Sequence, residues 1–556
     1  MHRLCLPLVI GALICCSGLT LYAQEKVVVT ASPAPPAPPV PPVQLDSTTE
    51  GTVTVGGQAI AYRAVAGTLT VGATDPQDAT IGLDGRLLPD AGEKPPDPTK
   101  PDEAPPTARM FYVAYFKTDA TTNAPSPSRP VTFLYNGGPG SSTMWLHMGS
   151  FGPRRVFTTD TQHDPGAPYR IANNEYSLLD ATDLVFIDAP GTGFSRIMGK
   201  DKEKAFWGTD QDAHAFERFI RRFLTKFDRW NSPKYLFGES YGTPRSAVLS
   251  GILHNVDLNG IVLLSATLSF DNWADAPRWN PGVDQPYALA LPTFAASAFY
   301  HHKLPQQPAA LEPFLKTVEK FAMGEYMSAL LEGSELTEAR KQALAEKLHQ
   351  FTGLPVAYLL KADLRVSGGA FSKNLQDEAG LTTGRLDTRY QGPDYNRLSE
   401  EAEYDPQSNA LSSAYTTAIN QYLRKDLKYG ENQTYKPTLY AEGNQSLFQW
   451  DLRHQSPGGP PAAASESGTN VIPDLATAMK ANPKMKVLLA GGYFDLATPF
   501  FEGIYEMRHL PIPDTLQGNI RYHYYEAGHM IYVNEGVLKQ FHDDVASFIR
   551  DTAESK

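Results

Sequence analysis

The stretch Tyr-Leu-Phe-Gly-Glu-Ser-Tyr-Gly at residues 235–242 determines how the rest of the chain is organised. An apolar run ends in Gly-Glu-Ser-Tyr-Gly, and the residues that follow, 246–253, are compatible with a helix. This order matches the G-x-S-x-G nucleophile elbow, in which a strand, a sharp turn and a helix present a serine hydroxyl. The glycines leave room for the strained backbone of that turn. The motif predicts that Ser240 is a nucleophile; the plainer alternative is an ordinary strand–turn–helix.

Apolar segments alternate with helical segments on both sides of this elbow. Phe216 to Phe227 has the apolar spacing of a helix and directly precedes the elbow strand. The other predicted core elements are strands at 110–116, 131–135, 184–187, 261–264, 486–490 and 520–525, and a closing helix at 537–549. Alternating strands and helices predict a mostly parallel α/β sheet with its site at the carboxyl ends of the strands.

Composition divides the chain into six predicted segments. They are a signal peptide at 1–23, a Pro-rich linker at 24–46, a small N-terminal β region and loop at 47–108, the first part of the core at 109–273, a helical cap insertion at 274–455, and the second part of the core at 456–556. Short strands with glycine turns are expected within 52–71. Helical spacing at 309–331 and 337–351, with Thr337 as N-cap, indicates the cap. An independent helical domain is the alternative.

The first 23 residues have the features of a secretory signal peptide. A basic start precedes an apolar core at 4–13, and small residues before Gln24 form a plausible cleavage site. The apolar run is too short to favour a permanent membrane span. All three cysteines lie in this segment, so we expect a mature chain without disulfides, in a bacterial periplasm or secreted. A lipoprotein site at Cys15 or Cys16 is a less favoured alternative, because the residues before them are not small.

Composition and charge limit the classes of partner. The 556 residues are 42% hydrophobic and 20% charged, as in globular proteins. A net charge of −12 argues against nucleic acid and anionic membrane surfaces as partners. We expect no metal and no other cofactor, because His301, His302 and His523 lack the spacing of metal ligands. The sequence does not indicate an oligomeric state.

Two further polar residues follow late strands in an informative order. Asp495 comes after the strand at 486–490, and His529 comes after the strand at 520–525. A serine nucleophile needs a histidine base, and the histidine needs a carboxylate that fixes its tautomer. In α/β-hydrolases the order along the chain is Ser, acid, His, each after a strand. The sequence therefore predicts an α/β-hydrolase fold with Ser240, Asp495 and His529 as its catalytic triad.

A glycine-rich loop at 136–142 follows the strand at 131–135 directly. An oxyanion hole needs two amide donors, one of which is usually the N–H after the nucleophile, here Tyr241. The loop is in the right position to supply the other. A nucleotide-phosphate loop is the alternative, but the Lys and the spacing of a P-loop are missing.

Four segments together resemble the serine carboxypeptidases, peptidase family S10. They are Asn-Gly-Gly-Pro-Gly-Ser-Ser at 136–142, Asp-Ala-Pro-Gly-Thr-Gly-Phe-Ser at 188–195, Gly-Glu-Ser-Tyr-Gly at 238–242 and Gly-His-Met at 528–530. The resemblance covers roughly 110–265 and 485–550, and the N-terminal strands and cap look more like bacterial exported members than eukaryotic ones.

The resemblance implies an enzyme that releases C-terminal residues from peptides with a free carboxyl end, through an acyl-enzyme. It implies roles for eight residues: Ser240 as nucleophile, His529 as base, Asp495 as its orienting acid, Gly138 and Tyr241 as oxyanion donors, Asn136 and Glu239 as ligands of the terminal carboxylate, and Met530 in the leaving-residue pocket. Glu239 can serve only if it is protonated, because two carboxylates in contact repel each other. An esterase or acyltransferase on the same scaffold, and a non-catalytic peptide-binding protein, are the alternatives.

The sequence departs from the family pattern at Ser150, where members often carry a second Glu. Arg154 and Arg155 follow closely. One hypothesis is that one of these arginines pairs with the substrate carboxylate; a solvated surface pair is the alternative.

The predicted cap also contains a charged group, Arg385, Asp387 and Arg389. These side chains could reach the site or pair with one another, and pairing is the favoured interpretation. Since the family's disulfides are absent, the cap must be held by packing alone.

Overall fold

A ten-stranded sheet runs through the computed structural model, which describes residues 46–553 except 90–91, 93–95, 98, 120–124, 441–447 and 459–468. The predicted signal peptide, nearly all of the Pro-rich linker and all three cysteines therefore lie outside the described residues, as does most of the Pro/Gly/Ser-rich stretch at 456–468. Among the helices of the described part, none is both long and apolar enough to span a bilayer.

The strand order of the main sheet is that of an α/β-hydrolase. In spatial order it contains β1 (Ser47–Val55), β2 (Gln58–Gly72), β3 (Thr107–Lys117), β7 (Asp183–Ile187), β4 (Val131–Tyr135), β9 (Lys234–Glu239), β10 (Gly260–Leu264), β13 (Lys486–Gly492) and β14 (Ile520–Tyr525), with β8 (Arg196–Met198) paired to β3. The six strands from β7 to β14 are parallel, and the first three strands pair antiparallel. The predicted fold class is confirmed.

The central strands are apolar because helices cover both faces of the sheet. Every residue of β4, β9 and β10 is buried. Along β9, Tyr235 and Phe237 enter the hydrophobic core on one face, and Leu236 enters the core on the other. Such strands have continuous apolar sequences rather than alternating ones. The helices are α1 (Asp75–Asp78), α2 (Met144–Leu146), α3 (Lys202–Phe206), α4 (Thr209–Lys226), α5 (Gly242–Ile252), α13 (Ile472–Ala481), α14 (Phe500–Arg508), α15 (Asp514–Gln517) and α16 (Glu535–Ala553).

The expectation of short strands within 52–71 is wrong for the second half of this region, where residues 58–72 form one long strand. One tight turn at Gly56 and Gly57, both with positive φ, joins β1 to the 15-residue β2, and Gly67 lies inside β2. The strand continues past this glycine because β3 pairs with it over eleven positions, so inter-strand hydrogen bonds outweigh the weak strand preference of Gly. Both strands are part of the main sheet.

About half of the chain between β10 and β13 is helical. It contains α6 (Gln285–Tyr300), α7 (Leu311–Phe321), α8 (Met327–Glu332), α9 (Glu338–Thr352), α10 (Val356–Lys361), α11 (Gly368–Asn374) and α12 (Pro406–Lys425). Two small sheets, β5 (Arg154–Val156) with β6 (Ile171–Asn173) and β11 (Leu381–Thr383) with β12 (Gln391–Pro393), complete the list. Thr337 caps α9 by accepting from Arg340 N at 3.4 Å, as predicted.

The helices between β10 and β13 share a hydrophobic core with the C-terminal part of the chain. Leu315 and Leu348 from this region belong to one buried cluster with Phe494 and Phe500, which follow β13. This shared core favours an insertion over an independent helical domain.

Candidate active site

The turn after β9 holds Ser240 in a left-handed backbone conformation, with φ +58°. Gly238 and Gly242 make this turn possible. A Cβ at Gly238 would lie 2.0 Å from the carbonyl oxygen of Gly242, and one at Gly242 would lie 2.8 Å from that of Tyr135. The amide of Ser240 donates to the carbonyl of Leu264 in β10 at 3.0 Å. The backbone strain at the serine is therefore held by the sheet and by two positions that only glycine can occupy.

His529 and Asp495 lie close together in the loops after β14 and β13. The imidazole Nδ1 is 2.8 Å from Asp495 Oδ2, and both side chains are buried. Asp495 also accepts from the hydroxyl of Thr498 at 2.6 Å and from the amides of Ala497 and Thr498 at 2.9 and 3.0 Å. With Nδ1 protonated toward the carboxylate, Nε2 is left as the basic nitrogen. Burial opposes the imidazolium most strongly, but the charge and hydrogen bond of Asp495, with the charge of Glu239, together outweigh it and raise the pKa of His529.

Ser240 and His529 line one cavity of about 230 Å³. Six of the other predicted site residues, or their immediate neighbours, line it too: Asn136, Gly137, Gly138, Glu239, Tyr241 and Met530. Asp495 lies behind His529, where an orienting acid belongs. The structure thus brings together every residue that the sequence assigned to the site.

The glycine-rich loop packs against the amide of Tyr241, the residue after Ser240. A Cβ at Gly137 would lie 2.3 Å from the amide nitrogen of Tyr241, so no side chain fits between them. Gly138 has φ +108° and lines the cavity beside Tyr241. Two backbone amides that adjoin the same space can bind an oxyanion.

Arg245, in the elbow helix α5, holds this loop from beneath and was not found from the sequence. Its fully buried guanidinium donates to the carbonyl of Asn136 at 2.8 Å and to Asp212 of α4 at 2.5 Å. The ring of Phe216 lies 4.3 Å from it. An arginine in an otherwise small and apolar helix after the elbow is the only sequence signal that could have indicated this role.

The segment at 188–195 supports the loop rather than lining the cavity. Asp188 accepts from the amide of Thr143 at 2.8 Å and from the hydroxyl of Tyr435 at 3.3 Å. Burial raises the pKa of Asp188 to about 6. The family resemblance at this segment therefore corresponds to a structural brace for the glycine-rich loop at 136–142.

Glu239 is fully buried beside the nucleophile. Burial raises the pKa of its carboxyl group to about 7, although hydrogen bonds from Tyr532 and Asn136 oppose the shift. The Tyr532 hydroxyl lies 3.1 and 3.0 Å from the two carboxyl oxygens. A carboxyl group with this pKa carries a proton in half of the molecules near neutrality. Tyr532 was missed in the sequence because a tyrosine in an apolar run is ordinarily a core residue.

Ser150 is buried and is not among the residues that line the cavity. Its hydroxyl donates to the carbonyl of Leu146 at 2.6 Å. Neither Arg154 nor Arg155 is among the residues that line the cavity. Arg155 pairs with Glu535 at 2.7 Å instead, and its guanidinium lies 3.9 Å from the centre of the Phe157 ring. The hypothesis that one of these arginines binds the substrate carboxylate has no support in the geometry.

Of the charged residues at 385–389, two pair with each other and one reaches the cavity. Arg389 pairs with Asp387 at 2.7 Å and with Asp160 at 3.0 Å, as the favoured interpretation expected. Arg385 differs, because it lines the cavity. For this residue the favoured interpretation is wrong.

Within the described ranges, no group of three or more His, Cys, Asp or Glu side chains is arranged to hold a metal ion.

Comparisons with known proteins find one family over part of the chain. Residues 102–257 match the family model described as serine carboxypeptidase, Peptidase_S10. Serine carboxypeptidase-like 50 of Arabidopsis thaliana is 32% identical over 177 residues, which are 29% of this chain and 37% of that protein. Retinoid-inducible serine carboxypeptidase of Rattus norvegicus is 27% identical over 218 residues, 38% of this chain and 43% of that protein.

The chain therefore spans less than half the length of these curated relatives. They are eukaryotic proteins and do not support the bacterial exported type that the sequence suggested. Among solved structures, a prohormone-processing carboxypeptidase from Saccharomyces cerevisiae has a TM-score of 0.48 and 15% identity, covering 87% of this chain and 91% of that one.

Proposed function

We propose that this chain is a serine-type carboxypeptidase of peptidase family S10. The matching family model and the similar relatives support this assignment. The enzyme would release C-terminal residues from peptides through an acyl-enzyme on Ser240.

The observation that carries the proposal is that a nucleophile with its base and a pair of possible carboxylate ligands line the same cavity. Ser240 and His529 provide a nucleophile and a base, and Glu239 and Asn136 line the same space. A carboxyl group with a pKa of about 7 can donate a proton to a substrate carboxylate in a short, charge-assisted hydrogen bond. An esterase has no need for such a group beside the reacting carbonyl.

In the proposed reaction, Asn136 and protonated Glu239 bind the terminal carboxylate and so position the last peptide bond. His529 takes the proton from Ser240 as the hydroxyl attacks the carbonyl carbon, and Asp495 stabilises the imidazolium. The amides of Gly138 and Tyr241 bind the oxyanion. The imidazolium then protonates the leaving amine, and the C–N bond breaks. Water, activated by the same histidine, hydrolyses the acyl-enzyme.

The experiment that tests the proposal compares matched peptides with free and amidated carboxyl ends. Wild type should remove single residues stepwise from the free ends and much more slowly from the amides, with products identified by mass spectrometry. Ser240→Ala should lose about 10⁴-fold or more of this activity, because the nucleophile is gone. Internal cleavage, or hydrolysis of esters without peptides, would leave the triad intact and contradict the substrate assignment.

We also propose that the chain is exported, as a bacterial periplasmic or secreted enzyme, with its leader removed before Gln24. The basic start, the apolar core and the small residues before that position support this proposal. Amino-terminal sequencing of protein recovered from periplasmic and culture fractions tests it. A mature chain that begins at Met1, or a lipid-modified Cys16, would contradict it.

A further inference from the structure

Contacts divide the residues lining the active-site cavity into two groups. On one side of Ser240, Glu239 bonds to Tyr532, and Trp145 lies against Tyr415 with ring centres 4.8 Å apart. If the terminal carboxylate binds at Asn136 and Glu239, this side receives the leaving residue.

The other side is an aromatic wall. The ring of Tyr241 contacts Phe270 edge-on at 6.3 Å, and Phe270 stacks on Trp273 at 4.7 Å. Beside Trp273 in the chain, Asp275 lies 3.8 Å from the Nε of Arg385. Tyr241, Phe270, Trp273 and Arg385 all line the cavity. Since the leaving residue occupies the opposite side, this wall receives the residue that becomes the acyl group.

Arg385 has a fixed backbone and a weakly paired charge. Its amide donates to Asp405 at 2.6 Å, and its carbonyl accepts from the amide of Leu496 at 3.0 Å. The side chain is 42% exposed, and within the described ranges its guanidinium donates no hydrogen bond. Its only ion contact there is the long one to Asp275, whose other oxygen already accepts from Gly369 N at 3.0 Å. The guanidinium is thus held at the cavity with free donors.

The charges that face this guanidinium are few. Besides Arg385, the titratable side chains lining the cavity, in the part of the chain that the structure describes, are Glu239, His529 and Tyr241. With a pKa of about 7, Glu239 is only partly ionised near neutral pH, and the positive charge of Arg385 acts to lower the pKa of His529. Among the described residues, no lining carboxylate on the acyl side competes with a substrate for this arginine: Asp275 does not line the cavity, and the buried Glu502, which the charge of Arg385 also reaches, has a pKa raised well above its ordinary value by burial.

We propose that Arg385 determines specificity by selecting substrates with an acidic penultimate residue. The proposal rests on the proposed carboxypeptidase function and names its substrate class. The aromatic wall contacts the methylene groups of the penultimate side chain, and the guanidinium donates to the carboxylate at its end. A lysine at the same position would place two cations together and is rejected.

The test uses peptides with free carboxyl ends that differ only in the penultimate residue, Glu, Gln or Lys. The wild-type enzyme should have a kcat/KM for Glu about tenfold above that for Gln, and a lower one for Lys. Arg385→Gln should bring the ratio of Glu to Gln to about one, and Arg385→Lys should retain part of the preference because the charge stays. Arg385→Glu should favour Lys.

Arg278→Gln is the matched control, because Arg278 is an exposed arginine of the same helical region that pairs with Glu401 and does not line the cavity. This variant should keep the wild-type preference. Labelling of Ser240 by a fluorophosphonate reports whether each variant is folded. Rising salt should lower the ratio of kcat/KM for Glu to that for Gln in wild type, and it should not change the ratio of about one in Arg385→Gln.

The outcomes separate the two proposals. If wild type cleaves none of the peptides, the carboxypeptidase proposal fails. If it cleaves all three equally and Arg385→Gln changes nothing, only the role of Arg385 is overturned. In a second peptide set that varies the terminal residue, an acidic preference that is lost in Arg385→Gln would overturn its place on the acyl side.

Discussion

In the proposed mechanism, the protonation state of Glu239 decides whether the site can bind a carboxylate. Burial raises the pKa of Glu239 to about 7, while Tyr532 donates toward both of its oxygens. Below that pKa the group is a neutral donor. Above it the group is an anion, which repels a substrate carboxylate in a poorly solvated cavity.

The first prediction is that KM for peptides with a free carboxyl end rises with pH through about 7. Above the pKa, each further pH unit should raise KM by about tenfold, since the protonated fraction falls by that factor. Glu239→Gln keeps an amide donor at every pH, so its KM should be flat over the same range. Steady-state kinetics from pH 5 to 9 measure both.

Tyr532→Phe provides a directional check on this prediction. The hydroxyl stabilises the charged carboxylate, so its removal should move the rise in KM to higher pH. Tyr415→Phe is the matched control, because Tyr415 is equally buried and has no hydrogen bond to Glu239. A flat wild-type profile, or a shift to lower pH in Tyr532→Phe, would contradict the assignment.

At the scale of elements, α14 places two buried carboxyl groups one turn apart beneath the acyl side of the site. Glu506 accepts from the amides of Leu268 and Ser269 at 2.7 and 2.8 Å and from Asn272 at 3.0 Å. Among the residues that the structure describes, Glu502 accepts only from the hydroxyl of Thr267, at 2.9 Å, and its second oxygen is buried without a partner. Burial, with the neighbouring Glu506, raises the pKa of Glu502 well above its ordinary value.

We predict that Glu502→Gln raises the melting temperature at pH 8. The folded protein keeps Glu502 protonated, whereas the unfolded chain ionises it above its ordinary pKa, so stability falls as pH rises through this window. Glutamine removes the dependence, and the gain should shrink toward pH 4.

Glu506→Gln is the contrasting variant for thermal unfolding across this pH range. Burial raises the pKa of Glu506 to about 7, so glutamine also relieves a cost of ionisation here, but it takes a charged acceptor away from three donors. The gain in stability at pH 8 should therefore be smaller than for Glu502→Gln, or absent. Equal losses of stability for both variants would mean that Glu502 is ionised in the folded state.

At the scale of the molecule, the helices between β10 and β13 have no core separate from the rest of the fold. Leu348 of α9 belongs to the cluster that includes Phe494 and Phe500 of the C-terminal part. Leu489 of β13 lies in a core on one face of the sheet. A region that shares its core in this way should unfold together with the sheet.

We therefore predict one cooperative unfolding transition for the mature chain. Leu348→Ala and Leu489→Ala each remove a buried side chain, and each should destabilise that same transition by about 2–5 kcal/mol. Calorimetry, together with denaturant unfolding followed by fluorescence and circular dichroism, checks this. Two transitions, with Leu348→Ala affecting one and Leu489→Ala the other, would indicate an independent helical domain.

The sequence by itself determined the features that depend on local backbone chemistry. Gly238 and Gly242 mark the elbow because no other residue fits there, and the continuous apolar runs of β4, β9 and β10 mark a sheet covered on both faces. The order of Ser240, Asp495 and His529 followed from the strands that precede them. The length of β2 did not follow from the sequence. This strand continues through Gly67 because β3 pairs with it on both sides of that glycine.

Only the tertiary structure decided how the site is supported and what it can select. Tyr532 bonds to Glu239 from 293 residues away, and Arg245 braces the oxyanion loop across 109 residues. Sequence periodicity gives no information on such pairs, because it describes neighbours within one segment and not partners more than a hundred residues apart. Arg385 separates from Asp387 and Arg389 for the same reason. The fold turns two of these three charges toward each other and the third into the cavity.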